Sequence, residues 1–242
     1  MDAAFQAVLA RVQQKREETN NPSGTTKNQD GVESIKDFQE RMKLQEYQKE
    51  IERSGIYRRF QSITFESIEK RGLPKNPSIC ANYAKVKDYA EHLRENIHDG
   101  IGLIFTGGYG TMKTTMAVAV LRKHIDDGGH GLLIPMCSLI DNIYSLRTLN
   151  REEEARFDER IRKTPLLVLD DLGGENTDQA WILAKVDSII TERYNRMLPV
   201  IVTTNLTREK LGETYSGRIL DRLKSTSKLL AFKGESERGV MN

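Results

Sequence analysis

Between Gly107 and Thr114 the chain reads Gly-Gly-Tyr-Gly-Thr-Met-Lys-Thr, residue types that can hold a phosphate chain at this spacing. The phosphate-loop template asks for glycine, four residues, then Gly-Lys-Ser/Thr, and Gly107, Lys113 and Thr114 satisfy it. Backbone N–H groups of a tight loop through Gly107, Gly108, Gly110 and Thr111, with the positive end of a following helix begun by Thr114 and Thr115, suit a β-phosphate. The Lys113 ammonium would meet β/γ oxygens, and the Thr114 hydroxyl would complete a Mg²⁺ shell. One position departs: Met112 stands where the template has glycine, and its Cβ restricts the backbone and crowds the phosphates.

Two further segments supply the remaining chemistry. Leu166-Leu167-Val168-Leu169-Asp170-Asp171 is an apolar run ending in two acids, the pattern of a strand that delivers a carboxylate to a metal. Asp170 would hold the Mg²⁺ hydration shell, and Asp171 stands where a water-polarising acid is usual. That acid is generally Glu; Asp is one methylene shorter, which predicts slow hydrolysis, with Glu175 as a fallback base. The run Leu198 to Asn205 ends Thr203-Thr204-Asn205, and Asn205 at its tip reads either as a sensor of the γ-phosphate or as a helix N-cap, with Thr207 a rival cap. Farther on, Arg218 and Arg222 are four apart on one helical face. They read either as a solvated basic face pairing with Asp221 or Glu213, or as an arginine finger for a neighbouring subunit's nucleotide. Arg238 would be a sensor arginine in cis.

Positioning these residues requires regular alternation of strands and helices, and the chain supplies it. Apolar runs at 101–106, 131–136, 164–171, 198–205 and 228–232 read as five strands. Helical patterns intervene at about 114–127, 138–148, 151–162 and 178–197, with two short helices before the fifth strand. Continuous apolar strands separated by helices predict an α/β fold, a parallel sheet covered on both faces. A helix over about 79–98 precedes the first strand, and residues 54–78, broken by Gly55, Gly72, Pro74 and Pro77, read as irregular. Residues 1–54 differ. Phe5, Val8, Leu9 and Val12 form one short apolar stripe; 19–31 reads as a flexible linker; Ile35/Phe38/Met42 and Leu44/Tyr47/Ile51 form two rows on a second helix. Such a pair either packs on the main domain or serves as a partner-docking arm, the latter favoured by the linker.

Composition narrows the function. Of 242 residues, 37 are Lys or Arg and 35 Asp or Glu, so the formal charge of +2 excludes an obligately basic nucleic-acid coat protein. Two cysteines, Cys80 and Cys137, make neither a disulfide framework nor a Cys-rich zinc site. No apolar run nears the ~20 residues of a membrane span, and the N-terminus lacks the form of a secretory signal. The expectation is a cytoplasmic protein with no membrane partner.

Taken together, GGYGTMKTT, LLVLDDLGGE, PVIVTTNLTREKL, GRILDRL and AFKGESER resemble, in order and spacing, the AAA+ ATPases of the DnaC/IstB group over about residues 55–242. The stretch from Tyr57 to Ile68 is similar to the lead-in of their ATPase domain. Within the group the DnaC-type helicase loaders, chromosomal or phage-encoded, fit best. The resemblance implies an AAA+ RecA-like P-loop αβα sandwich at 55–242, with a five-stranded parallel sheet in which the strands ending at Asp170 and Asn205 flank the phosphate-loop strand. It also implies a small helical N-terminal arm at 1–54 that binds a replicative DnaB-type hexameric helicase. ATP with Mg²⁺ would act as an assembly and release switch, with self-association through the AAA+ domains and Arg222 at the finger position. Single-stranded DNA would be a partner, contacted by residues such as Tyr144, Arg147 and the basic residues of 208–228. The alternative is an IstB-type transposition helper ATPase.

Overall fold

The computed structural model describes residues 35–174, 180–215 and 217–237. The chain divides into two units, Met1–Glu50 and Ile51–Asn242. In the first, the described residues belong to helix α1 (Ile35–Arg53), where Phe38 and Met42 of the expected row are exposed and the Arg41 guanidinium stacks 5.5 Å over the Phe38 ring. The stripe Phe5/Val8/Leu9/Val12 and the linker at 19–31 lie outside the described residues.

The second unit is built on five strands, β1 (Gly102–Gly107), β2 (Gly131–Pro135), β3 (Leu166–Asp170), β4 (Val200–Thr204) and β5 (Ser227–Phe232), each within two residues of its expected bounds at the N-terminal side. Every pairing is parallel, in the order β2-β3-β4-β1-β5. This corrects the expected neighbourhood. The strand ending at Asn205 does border the phosphate-loop strand, but the strand ending at Asp170 lies one place farther out, and β5 takes the other flank. In β3 and β4 every apolar residue is buried, which requires cover on both faces because successive side chains point to opposite sides. The edge strand β5 alternates instead, with Leu230 and Phe232 buried and Leu229 exposed. At the other edge the Leu133 N–H of β2 donates to the Ser54 carbonyl (2.7 Å), occupying a group that an open edge would leave unpaired.

Residues 54–78 are more ordered than expected. They hold a short 3-10 turn (Arg58–Phe60) and helix α2 (Phe65–Arg71). Helix α2 starts on a capping box: Thr64 Oγ1 accepts the Ser67 N–H (3.0 Å) and Ser67 Oγ accepts the Thr64 N–H (2.9 Å). The box carries Ser rather than Glu or Gln at its fourth position, and the helix has only seven residues, so no 3.6-residue pattern signals it. The helix expected at 79–98 is two: α3 (Pro77–Glu91) and α4 (Leu93–His98), broken at His92. Asn76 caps α3 through its Oδ1 on the N–H groups of Ser78 and Ile79, with Pro77 at the first position.

The remaining helices follow the strands. They are α5 (Lys113–Asp126), α6 (Met136–Leu149), α7 (Arg151–Lys163), α8 (Ala180–Asn195), α9 (Arg208–Thr214) and α10 (Gly217–Thr226). Helix α7 starts on Asn150, whose Oδ1 accepts from Glu152 and Glu153, and it carries three glutamates in its first turn and basic residues in its last, matching the helix dipole. No helix among the described residues is long and apolar enough to cross a membrane.

Candidate functional site

The carboxyl ends of β1, β3 and β4 converge on one cavity of about 550 Å³, where parallel α/β sheets bind ligands. The loop from β1 to α5 forms its floor. Gly107 leaves the strand at φ 140°, and a Cβ there would stand 2.0 Å from the Phe232 carbonyl oxygen of β5. Gly110 turns at φ 75°, against Ser236, and its carbonyl accepts the Glu237 N–H at 3.0 Å. Both glycines therefore serve the close approach of backbone to backbone that shapes the loop.

Met112 occupies the left-handed region at φ 68°, ψ 12°, immediately before the first residue of α5. The template glycine is there because this conformation is needed. Met112 adopts it regardless, at a cost of roughly 1–2 kcal/mol for its Cβ. Its side chain is buried, and that burial offsets the strain.

Lys113 is buried, and its Nζ donates to the Gly107 carbonyl (2.9 Å), the Gly108 carbonyl (2.7 Å) and Asn205 Oδ1 (2.9 Å). The ammonium is thus held over the loop by neutral oxygens, which a phosphate oxygen can replace with a full opposite charge. Thr114 Oγ1 donates to Asp170 Oδ1 at 2.8 Å. Thr203 Oγ1 donates to the same oxygen at 2.6 Å. Asn205 bridges the site: its Oδ1 accepts from Lys113 while its Nδ2 donates to Asp171 Oδ1 at 2.6 Å. Asp171 itself stands at φ 58°, turning the chain sharply off β3.

The structure therefore brings together Gly110, Thr111, Met112, Lys113, Thr114, Thr115, Asp170, Asp171 and Asn205, and the carbonyls of Gly107 and Gly108 reach the same lysine. The rival reading of Asn205 fails. Thr207 caps α9 through Lys210 N–H (3.3 Å), and Asn205 faces Lys113 and Asp171 instead. Arg218 and Arg222 are not in this cavity. Both meet Asp187 of α8, at 3.3 and 3.2 Å, and Arg222 Nη1 also donates to Thr191 Oγ1 at 2.7 Å. Their partner is neither Asp221 nor Glu213, the two local acids. Glu175, Arg238 and the Arg147 side chain lie outside the described residues; Tyr144 is exposed.

Sequence reasoning overlooked several lining residues. Tyr57 and Phe60 wall the cavity beside Tyr109, and Glu237 closes it near Gly110. The sequence marks Thr203 only as part of a strand end, although its hydroxyl accepts the Asp171 N–H and donates to the Asp170 carboxylate. No periodicity marks such residues, because the lead-in and the segment after β5 meet the loop only through the fold.

A glycine-shaped loop with a buried lysine, a hydroxyl paired to a strand-end aspartate and a polar strand tip define a P-loop nucleotide-binding α/β domain. Residues 81–241 match the family model of the IstB-like ATP binding proteins, and the chain belongs to that family. The DnaC and DnaI helicase loaders are among its relatives and structural neighbours. The chain is 23% identical to the replicative helicase loader DnaI of Bacillus subtilis over 72% of its own length and 58% of that protein's. It is 26% identical to the replicative helicase loader DnaC of Buchnera aphidicola, over 81% and 77%. An insertion sequence IS21 putative ATP-binding protein of Pseudomonas aeruginosa is 30% identical, over 56% and 52%. The chain thus spans little more than half the length of two of these relatives. A crystal structure of the DnaC helicase loader superposes with a TM-score of 0.63 at 27% identity, covering 73% of this chain and all of that one. The fold is that of the AAA+ ATPases, and the family supports ATP binding.

Proposed function

We propose that this protein is an ATP-switched loader that binds a replicative hexameric helicase and helps place it on single-stranded DNA. The observation that carries the reading is the likeness to the DnaC loader along the whole of that solved chain, combined with a phosphate site complete in its chemistry. In this reading Lys113 exchanges its carbonyl and amide partners for the β- and γ-phosphate oxygens of ATP. The rings of Tyr57 and Phe60 offer a face to the base.

The donor set fits Mg²⁺: one hydroxyl, Thr114, already lies on one carboxylate, Asp170, and Mg²⁺ prefers one or two protein oxygens plus water and phosphate. Bound there, Mg²⁺ would neutralise charge on the transferred phosphoryl group. Asp171 accepts the hydrogen bond of the attacking water, and Asn205, bonded to both Asp171 and Lys113, registers whether the γ-phosphate is present. With the shorter Asp in that place, hydrolysis is slow. Arg222 acts in trans on a neighbouring subunit's nucleotide, with Arg218 beside it and Arg238 completing the site in cis. Residues 1–54 dock on the helicase, and the loader works in the cytoplasm.

The test is to mix the full chain with its host's replicative helicase, with and without ATP, and weigh the complex. A nucleotide-dependent complex is expected, and deletion of residues 1–50, which spares the buried Ile51 and Ser54 of the second unit, should abolish it while leaving a folded ATPase unit. A truncated protein that still co-elutes at full stoichiometry rules out the docking role. The likeness to the IS21 protein supports a second reading, a transposition helper. That reading predicts ATP-dependent binding to duplex DNA and no helicase complex.

A further inference from the structure

Thr203 stands at the end of β4, buried, in register with Phe105 of β1 on one side and beside β3 on the other. A threonine hydroxyl has one proton to donate and lone pairs to accept with. Here both functions are committed. The oxygen accepts the Asp171 N–H at 2.9 Å, and the proton goes to Asp170 Oδ1 at 2.6 Å. Because Asp171 N–H approaches as a donor, the hydroxyl proton is directed to the carboxylate. One side chain therefore fixes the Asp170 carboxylate and the backbone turn that carries Asp171.

The same Asp170 oxygen also receives the Thr114 hydroxyl at 2.8 Å, so two hydroxyls fasten Oδ1 from two different elements, α5 and β4. With Oδ1 held in this way, the carboxylate plane is set, and Oδ2 has no bond among the described residues. Thr114 is itself a candidate metal ligand, whereas Thr203 has no such second task.

We propose that Thr203 is a positioning residue: it acts through Asp170, holding that carboxylate so that Oδ2 faces the hydration shell of Mg²⁺. This deepens the reading above and rests on Asp170 as the metal-side acid. Partners of this kind, one bond behind the ligand, typically change metal affinity by ~10–100-fold when removed. Valine at this position keeps the shape of threonine and removes both bonds. Serine keeps both and drops only a methyl group.

The experiment measures equilibrium binding of a fluorescent ATP analogue to the full chain in EDTA and across a Mg²⁺ titration, for the parent, Thr203→Val, Thr203→Ser and Asp170→Asn. In EDTA all four should bind alike. The Mg²⁺ midpoint should rise ~10-fold or more in Thr203→Val and in Asp170→Asn, and should stay near the parent in Thr203→Ser. A parent-like midpoint in Thr203→Val, with Asp170→Asn shifted, overturns the role of Thr203 and leaves the metal reading standing. Parent-like midpoints in both variants overturn the metal reading together with this inference. Should Thr203→Val fail to fold, Thr203→Cys, which lacks the methyl group of threonine as serine does and is only a weak donor, carries the same test, and a parent-like midpoint there overturns the proposal.

Discussion

Lys113 and Asp170 sit in one cavity yet carry different charges toward ATP, so their loss should differ in kind. Lys113 meets phosphate directly, and Lys113→Ala should abolish nucleotide binding. Asp170 acts through the metal, and Asp170→Asn should retain binding in EDTA while losing Mg²⁺-dependent hydrolysis. Calorimetric titration with and without Mg²⁺ separates the two; a Lys113→Ala protein that binds ATP as the parent does would remove the phosphate-site assignment. Met112 poses a subtler balance. Replacing it with glycine relieves roughly 1–2 kcal/mol of left-handed strain but gives up ~1.5–3 kcal/mol of side-chain burial. Glycine also loses ~0.5–1 kcal/mol through the greater freedom of the unfolded chain. Burial wins, so Met112→Gly should lower stability by ~1 kcal/mol, a fall of ~2–4 °C in melting temperature for a chain of this size. Because the loop already has the glycine-like conformation, nucleotide affinity should change little. A rise in melting temperature would show that strain outweighs packing.

Among the elements, the join between α7, β3, α8 and β4 depends on one side chain. Arg193 of α8 is fully buried, and its guanidinium donates to the carbonyls of Ile161, Thr164 and Pro199 at 2.8–2.9 Å and, more loosely, to Arg162 and Pro165. Among the described residues no carboxylate bonds it; carbonyl dipoles solvate the charge, and burial pushes its pKa down to about 9, still protonated at neutral pH. These carbonyls belong to the end of α7 and the approaches to β3 and β4, so Arg193 fastens the starts of two of the three interior strands, those whose other ends carry Asp170 and lead to Asn205. Arg193→Met preserves bulk and orphans several buried acceptors, each worth ~1–3 kcal/mol. A loss of at least ~3 kcal/mol in denaturant unfolding is expected; a loss below ~1 kcal/mol would mean that water takes over the acceptors.

At the scale of the whole molecule, Arg222 projects from α10 on a face separate from its own nucleotide cavity, steadied by Asp187 and Thr191. A guanidinium so placed serves a neighbour or serves nothing catalytic. Arg222→Ala should remain folded and bind ATP, yet lose ATP-dependent self-assembly and any hydrolysis that depends on it. Mixing it with Lys113→Ala, which keeps Arg222, should restore some activity through composite sites if Arg222 acts in trans. Normal assembly of Arg222→Ala alone, or a mixture that stays inactive beside an active parent, would reduce Arg222 to a surface ion pair with Asp187.

The strands, most helices and the phosphate loop were legible in the residues because their signals are local: apolar runs of four or five, glycines where the backbone must turn, and acids at a strand end. Helix α2 escaped because seven residues on a Thr64–Ser67 box show too little periodicity. The break at His92 escaped because both halves share an apolar stripe. Pairings across the sheet were beyond reach for another reason. Whether Asn205 caps a helix or bridges Lys113 and Asp171 depends on which strand lies between which, and whether Arg222 finds Asp221 or Asp187 depends on which helices meet. Local spacing does not choose between them. The order β3-β4-β1 settled the first, because it sets β4 between the lysine-bearing and aspartate-bearing segments, so that the tip of β4 reaches both. The second was settled by α10 meeting α8, which carries Asp187 and Thr191.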